Sequence, residues 1–292
     1  MLELCTLASG SSGNSLLVTD GRTHVLVDAG ISCRRICTGL KELGVEPTEL
    51  AGVLITHEHS DHISGLTTLT KQLRLPVYAS PGTGRQLCYR IAFLEELLRP
   101  VAPGRAFPSA GWRLRASPPP TTRRRAWATP CPPGAEGGGG HRPGLCDRGG
   151  ASRHPGADLL VAEANHDVEW VQSGPYPYHL KARILGDRGH LSNEAGAELA
   201  WTAVEGARTV VLAHLSHENN TPPGPEVVRG VLERRGAAVG RDVALEVAPA
   251  ARRAGGTRYE GHPGAAHLRG QDEGEILHRC GGGVRQAPVG LL

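Results

Sequence analysis

Thr56-His57-Glu58-His59-Ser60-Asp61-His62 follows directly on Gly52-Val53-Leu54-Ile55, and this junction decides the fold. Gly52–Thr56 reads as a short continuous apolar strand of the kind buried on both faces. In an extended segment residues two apart share a face, so His57 and His59 can reach one cation. The chain then turns into a helix whose first turn carries Asp61 and His62, close enough to serve a second ion. Neutral imidazoles with one carboxylate suit zinc, and a harder donor set admits manganese. A cluster of solvated surface histidines is the competing reading. Four donor residues in six positions at a strand end leave it little room.

Working outward, the first hundred residues alternate strand and helix. Leu2–Leu7 and Ser15–Thr19 read as strands around the turn-rich Ser9–Ser15, and Thr23–Asp28 is a third, stopped by Ala29-Gly30. Helical spacing covers Arg34–Leu43, with Gly44 as a C-terminal stop. His62–Leu73 reads as a helix, Pro76–Ala79 as a strand and Pro81–Leu98 as helical. The same grammar returns late: strands at Ala157–Ala162, Arg208–Ala213 and Val243–Val247, helices at Asn193–Val204 and Pro225–Arg235. This alternation predicts an α/β fold, layered as in α+β proteins. The domain it defines is 1–248, with 249–292 expected as a disordered tail.

The bulk numbers exclude more than they assign. A net charge of +3 is too small to imply nucleic-acid binding by itself. Seven cysteines at irregular spacing give no disulfide framework. Cys33 and Cys37 could share a helix face, where packing is the commoner use than metal binding. The start MLELCTLASG lacks the basic and apolar regions of a secretory signal, and no run is long and apolar enough to span a membrane. A soluble cytoplasmic protein is the expectation.

The run His57-x-His59-x-Asp61-His62 resembles the H-x-H-x-D-H signature of the metallo-β-lactamase fold. The resemblance implies an αββα sandwich, two sheets face to face between outer helices, with site residues at strand ends. Asp28 in LVDAG matches a buried aspartate that supports the site in that family; alone it also reads as a turn residue before Gly30. SGSSGNS, Leu160–Asp167 (LVAEANHD), Asp187–Asn193 (DRGHLSN) and Val211–Asn220 (VLAHLSHENN) are together similar to the YycJ/WalJ-type branch. That branch is related to ribonuclease Z and comprises 5′–3′ exonucleases. The resemblance covers about Leu2–Arg99 and Ala157–Ala248. It implies two divalent metal ions, zinc or manganese, and an activated hydroxide attacking a nucleic-acid phosphodiester, DNA ahead of RNA. His57 and His59 would hold one ion; Asp61, His62 and His214 the other, with Asp61 also serving catalysis. Glu163 and His190 would form the pair that protonates the leaving group. Without the family, His214 is a strand-end residue, Glu163 an ion-pair partner and His190 a loop residue. His166 is a weaker candidate.

Two ligands that the family carries between the halves are missing: a histidine in P-H-D-A and an aspartate in T-D-L-G that bridges the metals. His141 and Asp147 fit neither order and are not assigned. Residues 101–156 are instead rich in Pro, Gly and Arg without helical or strand periodicity, so the second sheet is expected to be disrupted there. Reading the codons from Pro120 one base out of register allows H-D-A…V-G-Y, and a further shift at His141–Gly144 allows T-D-L-G. Roughly 101–156 therefore reads as out-of-frame translation, and the chain as written is expected to be metal-poor and nearly inactive. Two other readings compete. One is a thioester or β-lactam hydrolase of the same fold. The other is a non-catalytic product whose Arg123–Arg125 and Trp127 bind nucleic acid.

Overall fold

The structure, a computed structural model, describes residues 3–101, 106–109, 112–117, 127–131, 159–186, 189–204, 209–220, 224–249, 257–260 and 289–291. The first half runs β1 (Glu3–Ala8), β2 (Ser15–Thr19), β3 (His24–Val27), α1 (Cys33–Glu42), β4 (Leu50–Ile55), α2 (Ser60–Ile63), α3 (Leu66–Leu73), β5 (Val77–Ala79), α4 (Pro81–Arg90) and β6 (Leu98–Pro100). Next come β7 (Ala106–Ser109), β8 (Trp112–Ser117) and β9 (Trp127–Cys131). The second half has β10 (Leu159–Glu163), α5 (Val168–Ser173), α6 (Tyr178–Leu185), α7 (Asn193–Val204), β11 (Thr209–Ala213), α8 (Gly224–Arg234) and β12 (Ala244–Val247). Two short strands follow, β13 (Thr257–Glu260) and β14 (Val289–Leu291).

Seven strands form the first sheet in the order β13-β1-β2-β3-β4-β5-β6, and four form the second, β12-β11-β10-β14. The first is antiparallel from β13 to β3 and parallel from β3 to β6. The second is parallel throughout.

Alternate residues of a strand point to opposite faces, and here each face has its own core. In β4, Val53 and Ile55 pack with Ile36 and Leu40 of α1 and with Leu66 and Leu69 of α3. Leu54 between them packs the other way, with Val25 and Val27 of β3, Val161 of β10 and Val211 of β11. In β11, Val210 and Leu212 join Ala197 and Ala200 of α7 and Val228, Val231 and Leu232 of α8. Three cores separate four layers, helix, sheet, sheet, helix. Each fully buried leucine or isoleucine contributes about 1.5–3 kcal/mol, so these faces fix strand register. The fold class is the one expected.

Some elements differ from the sequence reading. The single helix expected over His62–Leu73 is broken between α2 and α3. Gly65 sits at the break because a Cβ there would lie 2.1 Å from the Ile31 carbonyl oxygen. The Gly65 N–H donates to Ala29 O and the Ala29 N–H to His62 O, each at 2.8 Å, so the loop after β3 is threaded through the break. The helix expected over Pro81–Leu98 ends at Arg90, before a 3-10 turn at Ala92–Glu96 and strand β6. Helices α5 and α6 had no counterpart in the sequence reading. In 101–156, where no strand was expected, β7, β8 and β9 form an antiparallel sheet separate from the second sheet. Trp112-Arg113-Leu114-Arg115-Ala116-Ser117 does alternate apolar and polar residues, a signal hidden by its Pro- and Arg-rich surroundings. Within 249–292, β13 pairs with β1 and β14 with β10. Among the described residues, no helix is long and apolar enough to cross a membrane.

Candidate metal centre

The parallel strands deliver their C-terminal ends to one edge of the sandwich, and the candidate residues begin there. Asp28 follows β3, His57 follows β4 by one residue, Glu163 ends β10 and His214 follows β11. Such edges are where open parallel sheets place ligands.

Asp28 and His214 both have left-handed backbones, with φ of 61° and 58°. Few non-glycine residues adopt this region, at a cost of roughly 1–2 kcal/mol. Both are held by their surroundings. The Asp28 N–H donates to Leu54 O at 2.8 Å, and the His214 N–H to Ser9 Oγ at 2.8 Å. Asp28 Oδ1 accepts from the Thr56 N–H and Oδ2 from the Thr56 hydroxyl, both at 2.8 Å. Its Oδ2 also lies 2.7 Å from His62 Nδ1. That contact fixes the proton of His62 on Nδ1 and leaves Nε2 to face the site.

Three donor atoms then converge. Asp61 Oδ2 is 2.8 Å from His214 Nε2 and 3.2 Å from His62 Nε2, and the two imidazole nitrogens are 3.4 Å apart. Beside them, His57 Nε2 is 3.1 Å from His59 Nδ1, and the rings of His57 and His62 have centroids 3.9 Å apart. The backbone holds this turn tightly: a Cβ on Gly30 would sit 1.7 Å from the Asp61 carbonyl oxygen, so only glycine permits the approach.

A second group overlaps the first through His214. Its Nδ1 lies 2.9 Å from Glu163 Oε1, which is also 2.7 Å from His190 Nδ1. The Leu191 N–H donates to Glu163 Oε2 at 3.1 Å. One carboxylate therefore orients two imidazoles. The two groups able to hold a metal among the described residues are Asp61, His62 and His214, and Glu163, His190 and His214.

Crowding shifts the protonation equilibria. Burial opposes charge on His62, but the Asp28 and Asp61 carboxylates outweigh it and push its pKa up to about 9. Burial would raise the Asp61 carboxyl, yet hydrogen bonds from His214 and His62 hold it well below the usual carboxylate range. His59 is lowered, chiefly by burial. A set of closely packed imidazoles around a carboxylate, all competing for protons, is what a divalent cation would relieve. The donor chemistry fits a metal.

The structure brings together His57, His59, Asp61, His62, Glu163, His190 and His214, with Asp28 behind them. His166 is buried, its Nδ1 3.3 Å from Asn165 Oδ1, and belongs to neither donor group. His141, Asp147, Arg123–Arg125 and the side chain of Trp127 lie outside the described residues. The thiols of Cys33 and Cys37 are 3.9 Å apart on α1, and no metal-donor group among the described residues includes them. Sequence reasoning missed Asn14 and Asn165. Asn14 Nδ2 lies 3.3 Å from both Asp61 Oδ2 and His62 Nε2, and Asn165 Nδ2 donates to His214 O at 2.7 Å. Amides have no ligand spacing to reveal them. The only clue was Asn14 inside a glycine-rich turn.

Residues 8–152 match the family model of the metallo-beta-lactamase superfamily. The chain belongs to that superfamily, a class of metal-binding hydrolases. Within it, the chain is similar to two exodeoxyribonucleases. It is 33% identical over 260 residues to YycJ of Bacillus anthracis, covering 82% of this chain and 92% of the relative. It is 36% identical over 235 residues to WalJ of Streptococcus pneumoniae serotype 2, covering 73% and 81%. Among solved structures, the metallo-beta-lactamase fold protein YhfI from Bacillus subtilis has a TM-score of 0.56 at 15% identity, covering 89% of this chain and 100% of that one. That likeness supports the fold.

Proposed function

We propose that the chain is by design of its site a metal-dependent phosphodiester hydrolase, a 5′–3′ exonuclease acting on nucleic acid, DNA ahead of RNA, in the cytoplasm. The observation that carries this reading is the double role of Glu163. Its Oε1 meets His190 at 2.7 Å and His214 at 2.9 Å, joining a proton donor to the candidate metal donors in one hydrogen-bonded chain.

His57 and His59 would hold one divalent ion, and Asp61, His62 and His214 a second, zinc or manganese in either place. When bound, the ions supply Lewis acidity, which makes water a nucleophile near neutral pH and offsets the charge of a scissile phosphate. The chain's own residues do the rest. Asp28 keeps His62 in the tautomer that leaves Nε2 free. Asp61 Oδ2, held ionised between two imidazoles, is the acceptor that orients the nucleophilic side. Glu163 accepts a hydrogen bond from the His190 Nδ1–H and so favours the imidazolium, whose Nε2–H would pass to the departing oxygen and leave a neutral ring with its proton on Nδ1.

The residues described supply three donors to one ion and two to the other. Neither the middle histidine nor the bridging aspartate of the family pattern occurs in 101–156, which supports a weakened site and the out-of-frame reading of that segment. Sequencing the DNA across codons 95–160 tests the latter: an uninterrupted frame encoding this chain removes it. The function itself is tested with a frame-corrected protein, assayed on 5′-phosphorylated single-stranded DNA and on a thioester. Cleavage of the DNA supports the reading, and cleavage of the thioester alone refutes it. Metal analysis of the chain as written is expected to find less than one tightly held ion; two would contradict the impairment.

A further inference from the structure

A cavity of about 250 Å³ opens beside the candidate metal centre. His59, Asp61, His190 and His214 line one side of it, and α6 contributes Leu180, Arg183 and Ile184 to another. We propose that Arg183 binds a phosphate of the nucleic-acid strand next to the scissile one, making α6 the wall that grips the substrate. This rests on the nuclease reading above.

Three observations favour it. Arg183 is exposed, and no carboxylate or other group among the described residues pairs with its guanidinium. Helix α6, YHLKARIL, also contains no acidic residue. Finally, the wall is anchored. Lys181 Nζ donates to Gln172 O at 2.6 Å, tying α6 to α5, and the hydroxyl of Tyr176, another cavity residue, donates to the Glu218 carboxylate. A guanidinium lining the cavity beside a phosphoester-cleaving centre offers the fork of donors that phosphate oxygens accept.

The test is binding, which needs no turnover. A fluorescent single-stranded DNA ten-mer is titrated with the protein over a range of salt concentrations, followed by anisotropy. Arg183→Gln should weaken binding about tenfold at low salt, the loss of one charged hydrogen-bonded contact. The slope of log affinity against log salt should fall by about 0.7, one single-strand phosphate contact. Arg183→Lys should restore the slope, and Arg229→Gln on the outer helix α8 should change neither quantity. If Arg183→Gln binds like the parent, or loses no more than Arg229→Gln, the inference is overturned while the nuclease reading stands. If neither the parent chain nor its frame-corrected form binds the oligonucleotide at any salt, the nuclease reading falls and this one with it.

Discussion

At the edge of the first sheet, four candidate donors lie between His57 and His62, on one turn after one strand. At the edge of the second, Glu163 meets partners 27 and 51 residues away, His190 and His214. The first cluster is set by local backbone: strand end, tight turn, first helical turn. The second is set by register, because β10 and β11 run parallel with Glu163 level with Ala213, which places His214 one step beyond. A dense cluster survives in sequence as a motif; a cluster made by register exists only after the sheet forms.

If His214 is the joint between these clusters, its loss should be the most damaging. His214→Ala is expected to weaken zinc binding by more than about 100-fold, beyond the range for outer partners, and a competition titration with a chromogenic chelator reads this directly. An equal loss in His59→Ala would break the ranking, since His59 belongs to one cluster alone. Asp28→Asn should come next. It keeps a hydrogen-bonding group near His62 but removes the charge, at an expected cost of about 10–100-fold in metal affinity.

A third expectation concerns protons. In the metal-free chain His62 stays protonated up to about pH 9, since its folded pKa lies above the ordinary 6.5. Its ion pairs therefore stabilise the metal-free fold fully below about 6.5, and that contribution fades as pH rises through 9. A cation taking Nε2 must displace a proton, so calorimetry in buffers of different ionisation enthalpy should show about one proton released per cation at pH 7.5 from this group. No release at that pH would place the cation elsewhere. The smallest effect is in the backbone. With φ of 58° at position 214, His214→Gly should be more stable than His214→Ala by about 1 kcal/mol in urea unfolding of the metal-free proteins, glycine bearing the left-handed turn without strain.

The same contrast explains what the sequence disclosed. Strands β4 and β11 were legible because continuous apolar runs of that length suit a sheet covered on both faces. His57–His62 was legible through density, and Glu163, His190 and His214 only through resemblance to a family. The break at Gly65 was hidden because its cause, the Ile31 carbonyl, comes from a distant loop. Helix α6 was hidden because it buries no residue fully and so carries no clean apolar stripe. Asn14 and Asn165 act through amide hydrogen bonds, which leave no periodic trace.

Because Asp61 and His62 hang from the first sheet and His214 from the second, any cation they share is a rivet driven through both halves of the sandwich. Pulling it with a chelator would cost more than a reagent. It would loosen the seam between Leu54 and Val211, so that metal starvation and mechanical softening arrive as one event.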